Sequence, residues 1–521
     1  MSQEQTSFLR RLRASLSSLS LQLDSFVDDY LASHSSELSA VILCIPDASA
    51  VKPSPWKPTL TLSAVDGSFT RKSLDGIEVV VVSCCALSYE LDPVSGWMER
   101  WPIERPFTVT LAVPMFRFQE QTHVDSEHEL SGEYASELMR LLEYLTALRL
   151  TVSSDIVLRD GSFSSDYISL LRSCSMSHAM TNSHLIGSET GSGQIQQGDF
   201  ETAIGVELLG EAEHSSQESA SYNPPGKGNQ IVFSNEYQEW LRHLEDVYPN
   251  HVESSHGRLT LSELGLSATK RVSHLLDQIY AHYLREDSHP MTFDDGRRQI
   301  TLGLSEIRLL TALTITRLVG ECRRGGRKAL AIAKDSASNV FQQHVLREKA
   351  SGLPDKLMLT LFTSVYKRGE YSGPWRTLDF DPLEQLETPR DLCVPPLEGL
   401  FKRFYYRIPT GDVQAPNVLA CELITGPQPV LSEDSSEIPQ LFHVLRLTSK
   451  PSSSIPEAIG HPFPLFEVDK LAKQRVREGE LVVEGYAPLI RLDQKMAEYI
   501  RALKSFRAQR EEHERQRRNQ K

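Results

Sequence analysis

Cysteine is scarce in this chain, and so are long apolar runs. The seven cysteines are an odd number without CxxC spacing. The only adjacent pair, Cys84 and Cys85, falls in a strand-like run, where neighbouring side chains face opposite ways. This points away from a zinc knuckle and from a disulfide framework. No stretch approaches the roughly 20 apolar residues of a membrane helix; the run Ile77 to Leu87 already carries Glu78. Arg10, Arg11 and Arg13 precede a Ser-rich segment with Asp24, Asp28 and Asp29 in place of an apolar signal core, so a cytoplasmic chain without a membrane span is expected. Positive charge is also in deficit. A formal net charge of −14 argues against coating nucleic acid by bulk electrostatics, and any DNA contact would need a local basic groove. There is no GxxxxGK[ST], since Gly226-Lys227-Gly228 lacks both the spacing and the hydroxyl, so ATP-driven movement would need another subunit. No GxSxG and no local cysteine-nucleophile motif occurs, which disfavours a serine or cysteine hydrolase.

What is present is an ordinary globular composition, 521 residues with 40% hydrophobic and 24% charged, enough for a large core and more than one lobe. Residues 7 to 33 place Phe8, Leu12, Leu16, Leu19, Leu23, Val27 and Leu31 at helical spacing, suited to packing. Three β-branched runs follow, Thr59 to Val65, Gly76 to Leu87 and Phe107 to Val113, the pattern of a meander. Ser131 to Leu150 switches to a helical period, and Asp155 to Leu158 reads as a short strand. Residues 176 to 230, rich in Ser, Gly, Gln, Glu and Asn, read as a mobile polar insertion, and Ser234 to about Arg324 as mostly helical, with His274 an ordinary helix residue. Ala329 to Ala333 is a buried-strand pattern. Phe401 to Ile408 and Leu441 to Leu447 alternate in strand fashion around a loop with Gly426-Pro427. A helix from about Phe466 to Gln474, a strand Leu481 to Val483, a helix from about Leu492 and a fraying charged tail complete the reading.

The chemistry lies in a recurring triplet. Asp66-Gly67-Ser68 closes the first strand, Asp160-Gly161-Ser162 closes the fourth, and Glu143 sits in the helix between them. Carboxylates at neighbouring strand ends converge, and a helix across the sheet supplies a third. Such a set can hold two hard divalent ions, one activating water and the other stabilising the leaving oxygen of a phosphodiester. A lone Asp-Gly-Ser is usually only a turn, and a lone helix Glu is usually solvated; the combination in this order carries the argument.

Ala64-Val65-Asp66-Gly67-Ser68, Met139-Arg140-Leu141-Leu142-Glu143-Tyr144, Ile156-Val157-Leu158-Arg159-Asp160-Gly161-Ser162 and Ala331-Ile332-Ala333-Lys334-Asp335-Ser336 resemble successive motifs of the NurA nucleases, in that family's order. The resemblance extends to Gly460-His461-Pro462-Phe463-Pro464-Leu465 and the helix after it. It implies an α/β fold, a ribonuclease-H-like mixed sheet flanked by helices, with a large mostly helical insertion. The implied division is a lead-in segment at 1–55, the first part of the nuclease core at 56–175, a flexible insertion at 176–230, a helical insertion at 231–325, the second part of the core at 326–505 and a charged tail at 506–521. It also implies a metal-dependent deoxyribonuclease processing DNA ends with Mn²⁺ or Mg²⁺, a homodimer working with a HerA-like hexameric ATPase in repair or defence.

On this resemblance Asp66, Glu143 and Asp160 are metal ligands that position the attacking water. The C-terminal motif departs from the family pattern: His461 stands where a tyrosine is usual, and Asp469 where the helix usually carries a histidine. Asp469 either completes an all-carboxylate site or is a solvated helix residue. His461 either binds metal, contacts phosphate or shuttles a proton, or is a loop residue. Lys334 is a DNA-phosphate contact or a strand-end surface lysine. Arg323, Arg324, Arg327 and Lys328 line a DNA path or decorate a turn, and Tyr405, Tyr406 and Arg407 suit single-strand binding less well than core packing. The altered C-terminal motif keeps a second function class open, an inactive NurA-like scaffold that binds the translocase or DNA.

Overall fold

The computed structural model describes residues 12–45, 58–116, 126–209, 229–325, 327–334, 338–347, 353–409, 418–424, 437–450 and 458–492, apart from short breaks within these ranges. The segment 210–228, the Gly426-Pro427 loop, Asp335, Ser336 and the tail lie outside the described residues.

A ten-stranded mixed sheet organises the chain. Its strands are β1 (Ile42–Cys44), β2 (Leu60–Leu74), β3 (Ile77–Leu91), β4 (Met98–Arg100), β5 (Phe107–Phe116), β6 (Ile156–Asp160), β7 (Lys328–Ala333), β8 (Trp375–Thr377), β9 (Phe401–Arg407) and β10 (Leu419–Ile424). They lie in the order β1-β8-β9-β10-β7-β6-β2-β3-β4, with β5 also paired to β3. The β2–β3–β5 meander is antiparallel, whereas β6 pairs parallel with both β2 and β7. The five strands β5-β3-β2-β6-β7 therefore form the mixed, ribonuclease-H-like sheet expected from the sequence.

Strand alternation sorts side chains to the two faces. Val65, Val157, Ala329 and Ala331 pack under α1 (Ser126–Leu150), whose Leu138, Leu141, Leu142 and Leu145 are buried. The same layer holds α2 (Phe163–Leu171), α3 (Ser175–Asn182), α4 (Asp199–Leu209), α6 (Glu263–Leu284) and α7 (Leu304–Gly325), while α5 (Asn229–Val247) packs on α4. On the other face Leu62, Ala64, Leu158, Leu330 and Ile332 pack under α8 (Glu437–Ser449) and α9 (Phe463–Leu492). Fully burying each such aliphatic side chain stabilises the fold by about 1.5–3 kcal/mol. No helix among the described residues is long and apolar enough to cross a membrane.

Four expectations are corrected. Asp66-Gly67-Ser68 does not close the first strand: β2 runs on to Leu74, paired with β3 throughout, and only its parallel ladder with β6 stops at Val65. Residues 176–209 are not a mobile polar stretch: α4 buries Phe200, Ala203 and Ile204 in the main core, and its polar residues are paired, as Asp199 is with Arg271. Leu441 to Leu447 belongs to helix α8. Its Leu441, Phe442, Val444 and Leu445 occupy one helical stripe, which a short window mistakes for alternation. Leu481 to Val483 is likewise not a strand but part of the continuous 30-residue helix α9, in which Val483 is buried and Leu481 and Val482 are exposed. Tyr405 and Tyr406 are fully buried in β9, so the core reading of that segment holds.

Candidate active site

Three parallel strands set the site. Val65 is the last β2 residue paired with β6, so Asp66 is the first beyond that ladder; Asp160 ends β6, and Lys334 follows the last residue of β7. Asp160 pairs with Ile332, and the Gly161 amide donates to the Ile332 carbonyl (3.1 Å), which fixes the offset. By alternation, Asp66, Asp160 and Lys334 share the face covered by α9. Lys334 Nζ lies 2.6 Å from Asp160 Oδ2. Asp469, in the second turn of α9, adds a fourth charge to the same field, with its Oδ2 2.8 Å from Lys473 Nζ.

Asp66 is buried, and its carboxyl is pushed well above the usual carboxylate range. Burial is the largest cause, followed by repulsion from Asp160 and Glu143, with Lys334 partly offsetting it and Asp469 adding to it. Lys334 answers from the other side. Burial weakens its charge, but Asp160, Asp66 and Asp469 outweigh that and raise its pKa.

Glu143 comes from the opposite face, through a gap left by glycine. A Cβ at Gly67 would lie 2.5 Å from Met139 Cγ and 2.7 Å from Glu143 Oε1, so only glycine lets α1 bring Glu143 alongside Asp66. Glu143 is itself clamped: Arg159 donates from Nε (2.9 Å) and Nη2 (2.8 Å) to its Oε2. Arg159 also donates to Tyr144 Oη (2.9 Å), pairs with Asp166 Oδ2 (2.8 Å) and lies over the Tyr144 ring at 4.1 Å. Gly161 has φ +114°, and a Cβ there would come within 3.2 Å of Arg159 Nη1. Each glycine of the two Asp-Gly-Ser triplets thus makes room for the Glu143–Arg159 pair.

The third residue of the second triplet anchors the loop. Ser162 caps α2, accepting from the Ser165 amide (3.1 Å), and its hydroxyl donates to Glu422 Oε1 (2.9 Å). Glu422 also accepts from the Ser164 amide (2.9 Å) and from Arg403 Nε (2.7 Å). Burial alone would raise the Glu422 carboxyl; Arg403 and Ser164 reverse this and hold it below its usual range.

His461 is buried just before α9, and neither ring nitrogen has a hydrogen-bond partner among the described residues. Burial and then the Lys334 charge hold its pKa well below normal, so it stays neutral. The basic stretch is used structurally. Arg324 pairs with Glu207 (2.7 Å), while Arg323 and Arg327 bond the carbonyls of Leu208 and Thr151.

The structure thus brings Asp66, Asp160, Lys334 and Asp469 into one electrostatic cluster, with Glu143 reaching it past Gly67 and His461 beside Lys334. Among the described residues, no three His, Cys, Asp or Glu side chains are gathered closely enough to hold a metal ion. Arg159, Arg403 and Glu422 were missed in sequence. For Glu422 the available signal was a lone charged residue in the otherwise apolar run Leu419–Ile424, which is buried only when paired.

The molecule is an α/β protein with a mixed sheet flanked by helices and an acidic cluster where the parallel ladders of its central strands end. It is similar to the crystal structure of the NurA nuclease from Sulfolobus solfataricus, with a TM-score of 0.43 and 13% identity over 93% of this chain and 98% of that one. It is similar also to NurA bound to dAMP and manganese (TM-score 0.42, 14% identity, 89% of this chain and 93% of that one). A third similar structure is NurA with manganese (TM-score 0.41, 15% identity, 91% and 97%). No family model and no curated protein matches the sequence.

Proposed function

We propose that the protein is a divalent-metal-dependent deoxyribonuclease that processes DNA ends. The observation that carries this reading is Asp66, a buried carboxyl on a central strand just beyond the end of its parallel ladder, raised by burial and by the neighbouring anions Asp160 and Glu143. Repelling carboxylates of this kind are relieved by a hard cation, and an oxygen-only donor set fits Mn²⁺ or Mg²⁺ better than zinc or copper. Asp66, Asp160, Glu143 and Asp469, not gathered closely enough without the ion, would draw together to hold the metal as Asp160 leaves Lys334, and the metal when bound supplies an activated water and charge stabilisation for phosphodiester hydrolysis. The order of the four sequence motifs supports the same reading. Lys334, one-third exposed at the rim, would meet a DNA phosphate as a point charge, and His461, held neutral, would offer a ring nitrogen to the metal or a hydrogen bond to a phosphate. The chain as a homodimer, working in the cytoplasm with a HerA-like hexameric ATPase in repair or defence, belongs to this proposal through the motif resemblance.

The deciding experiment is cleavage of end-labelled single- and double-stranded DNA with Mn²⁺, Mg²⁺ or EDTA, comparing wild type with Asp66→Ala, with and without the translocase. Metal-dependent cutting lost in Asp66→Ala supports the nuclease. One observation favours the scaffold reading: two acids are already neutralised by the protein, Asp160 by Lys334 and Glu143 by Arg159. Wild type that cuts under no condition, partner included, decides for it.

A further inference from the structure

We infer that Arg159 is the positioning residue of the site, fixing Glu143 so that a single oxygen serves the metal. The inference rests on the nuclease reading and goes beyond it to a residue outside the ligand set.

Both guanidinium contacts to Glu143 fall on Oε2, at 2.9 and 2.8 Å, while Oε1 lies on the Gly67 side, next in the chain to Asp66. One oxygen is held and the other is presented. Arg159 is in turn immobilised on every side: Nη1 reaches Tyr144 and Asp166, the guanidinium stacks on the Tyr144 ring, and Gly161 closes over it. Asp166 also accepts from Tyr144 Oη (2.9 Å) and meets Arg140 Nε at 3.3 Å, so the clamp is built into α1 and α2 as well as β6. Arg159 is adjacent to Asp160 in the strand, so it points to the face from which Glu143 comes, and its guanidinium, always cationic and without an acceptor lone pair, cannot itself be a ligand. Two coplanar N–H donors converging on one oxygen suit this task because they hold Oε2 and leave Oε1 free, a fixed pair of donors that a lysine ammonium does not offer.

The positioning role and a simple countercharge role predict opposite signs. If Arg159 only neutralised the acids, removing it would leave a more negative site and tighten cation binding. If it orients Glu143, removing it weakens binding, by about 10- to 100-fold as for other groups that hold metal ligands in place.

The test is a Mn²⁺ titration followed by the electron paramagnetic resonance signal of the free ion, on wild type, Arg159→Met and Arg159→Lys, with cleavage measured in parallel. Arg159→Lys keeps the charge in a buried, Asp166-paired position and decides the matter even where Arg159→Met does not fold. Weaker Mn²⁺ binding in folded Arg159→Lys, with cleavage restored at high Mn²⁺, is the expected result. Binding equal to or tighter than wild type overturns the inference. Wild type that neither binds Mn²⁺ nor cuts DNA overturns the nuclease reading itself, a separate outcome.

Discussion

Lys334 Nζ sits 2.6 Å from Asp160 Oδ2, so the cluster already contains a cation of the protein's own. This pair is partly exposed, unlike the buried Arg159–Glu143 pair, and a competing divalent ion displaces it at little expense. Lys334→Met should therefore bind Mn²⁺ more tightly than wild type while cutting DNA more slowly, the phosphate contact being lost. Calorimetric titration together with a cleavage assay checks both halves; unchanged Mn²⁺ affinity would remove Lys334 from the cation's place.

Asp66 and Glu422 give opposite pH signatures. The Asp66 carboxyl is raised in the fold, so its contribution is fully present below its unfolded pKa of about 3.9 and is lost as pH rises through the folded value. Asp66→Asn should then stabilise the metal-free protein at neutral pH by about 0.5–2 kcal/mol while lowering cleavage at least about 100-fold. Glu422 is depressed, so its contribution is present above about pH 4.3 and fades as pH falls through the folded value. Glu422→Gln should flatten the acid limb of the stability curve. Urea melts from pH 3 to pH 8 (roughly the span of ordinary carboxylate titration) read both signs.

Gly67→Ala and Gly161→Ala should impair the site without removing a charge. The first forces Met139 and Glu143 aside; the second adds strain of about 1–3 kcal/mol at a positive φ and crowds Arg159. Chemical denaturation and Mn²⁺ binding measured together would show both losses. Wild-type Mn²⁺ affinity in Gly67→Ala would mean that Glu143 does not approach through that gap.

Arg403→Met leaves Glu422 buried without its partner and should lower stability by about 3–5 kcal/mol. Arg324→Ala removes a half-exposed arginine from the buried Glu207, which keeps Arg317 as a partner, and should lower stability by about 1–3 kcal/mol while leaving DNA affinity unaltered. A filter-binding assay on Arg324→Ala that showed a large loss would restore the basic stretch to a DNA path.

The fold was readable wherever local pattern and tertiary role agree. β2, β3, β5, α1, β6 and β7 each show a clean local period; the Asp-Gly at the end of β6 and the Lys-Asp after β7 mark real strand ends, whereas β2 runs past its Asp-Gly to Leu74 because its partner β3 continues beside it. Reading failed where composition and burial disagree. Asp199 and Glu201 look solvated in sequence, yet Arg271 and Tyr248 neutralise or bond them inside the core. It failed again at Leu481 to Val483, an apolar Leu-Val-Val triplet carried by the helix around it. Arg159 was invisible for a related reason: its partner Glu143 is 16 residues away on another element, and no periodicity relates the two.

Helix α9 is unbroken from Phe463 to Leu492, about 45 Å at 1.5 Å per residue, with Asp469 near one end. Towards its middle, Gly479 lets the rod lie directly on Val81, and Glu480 and Glu484 grip Lys72 of the β2–β3 hairpin. Leu465, Val468 and Ala472 bury the first half of the same rod against the sheet, so Asp469 is carried on a girder fastened at several points and not on a loop.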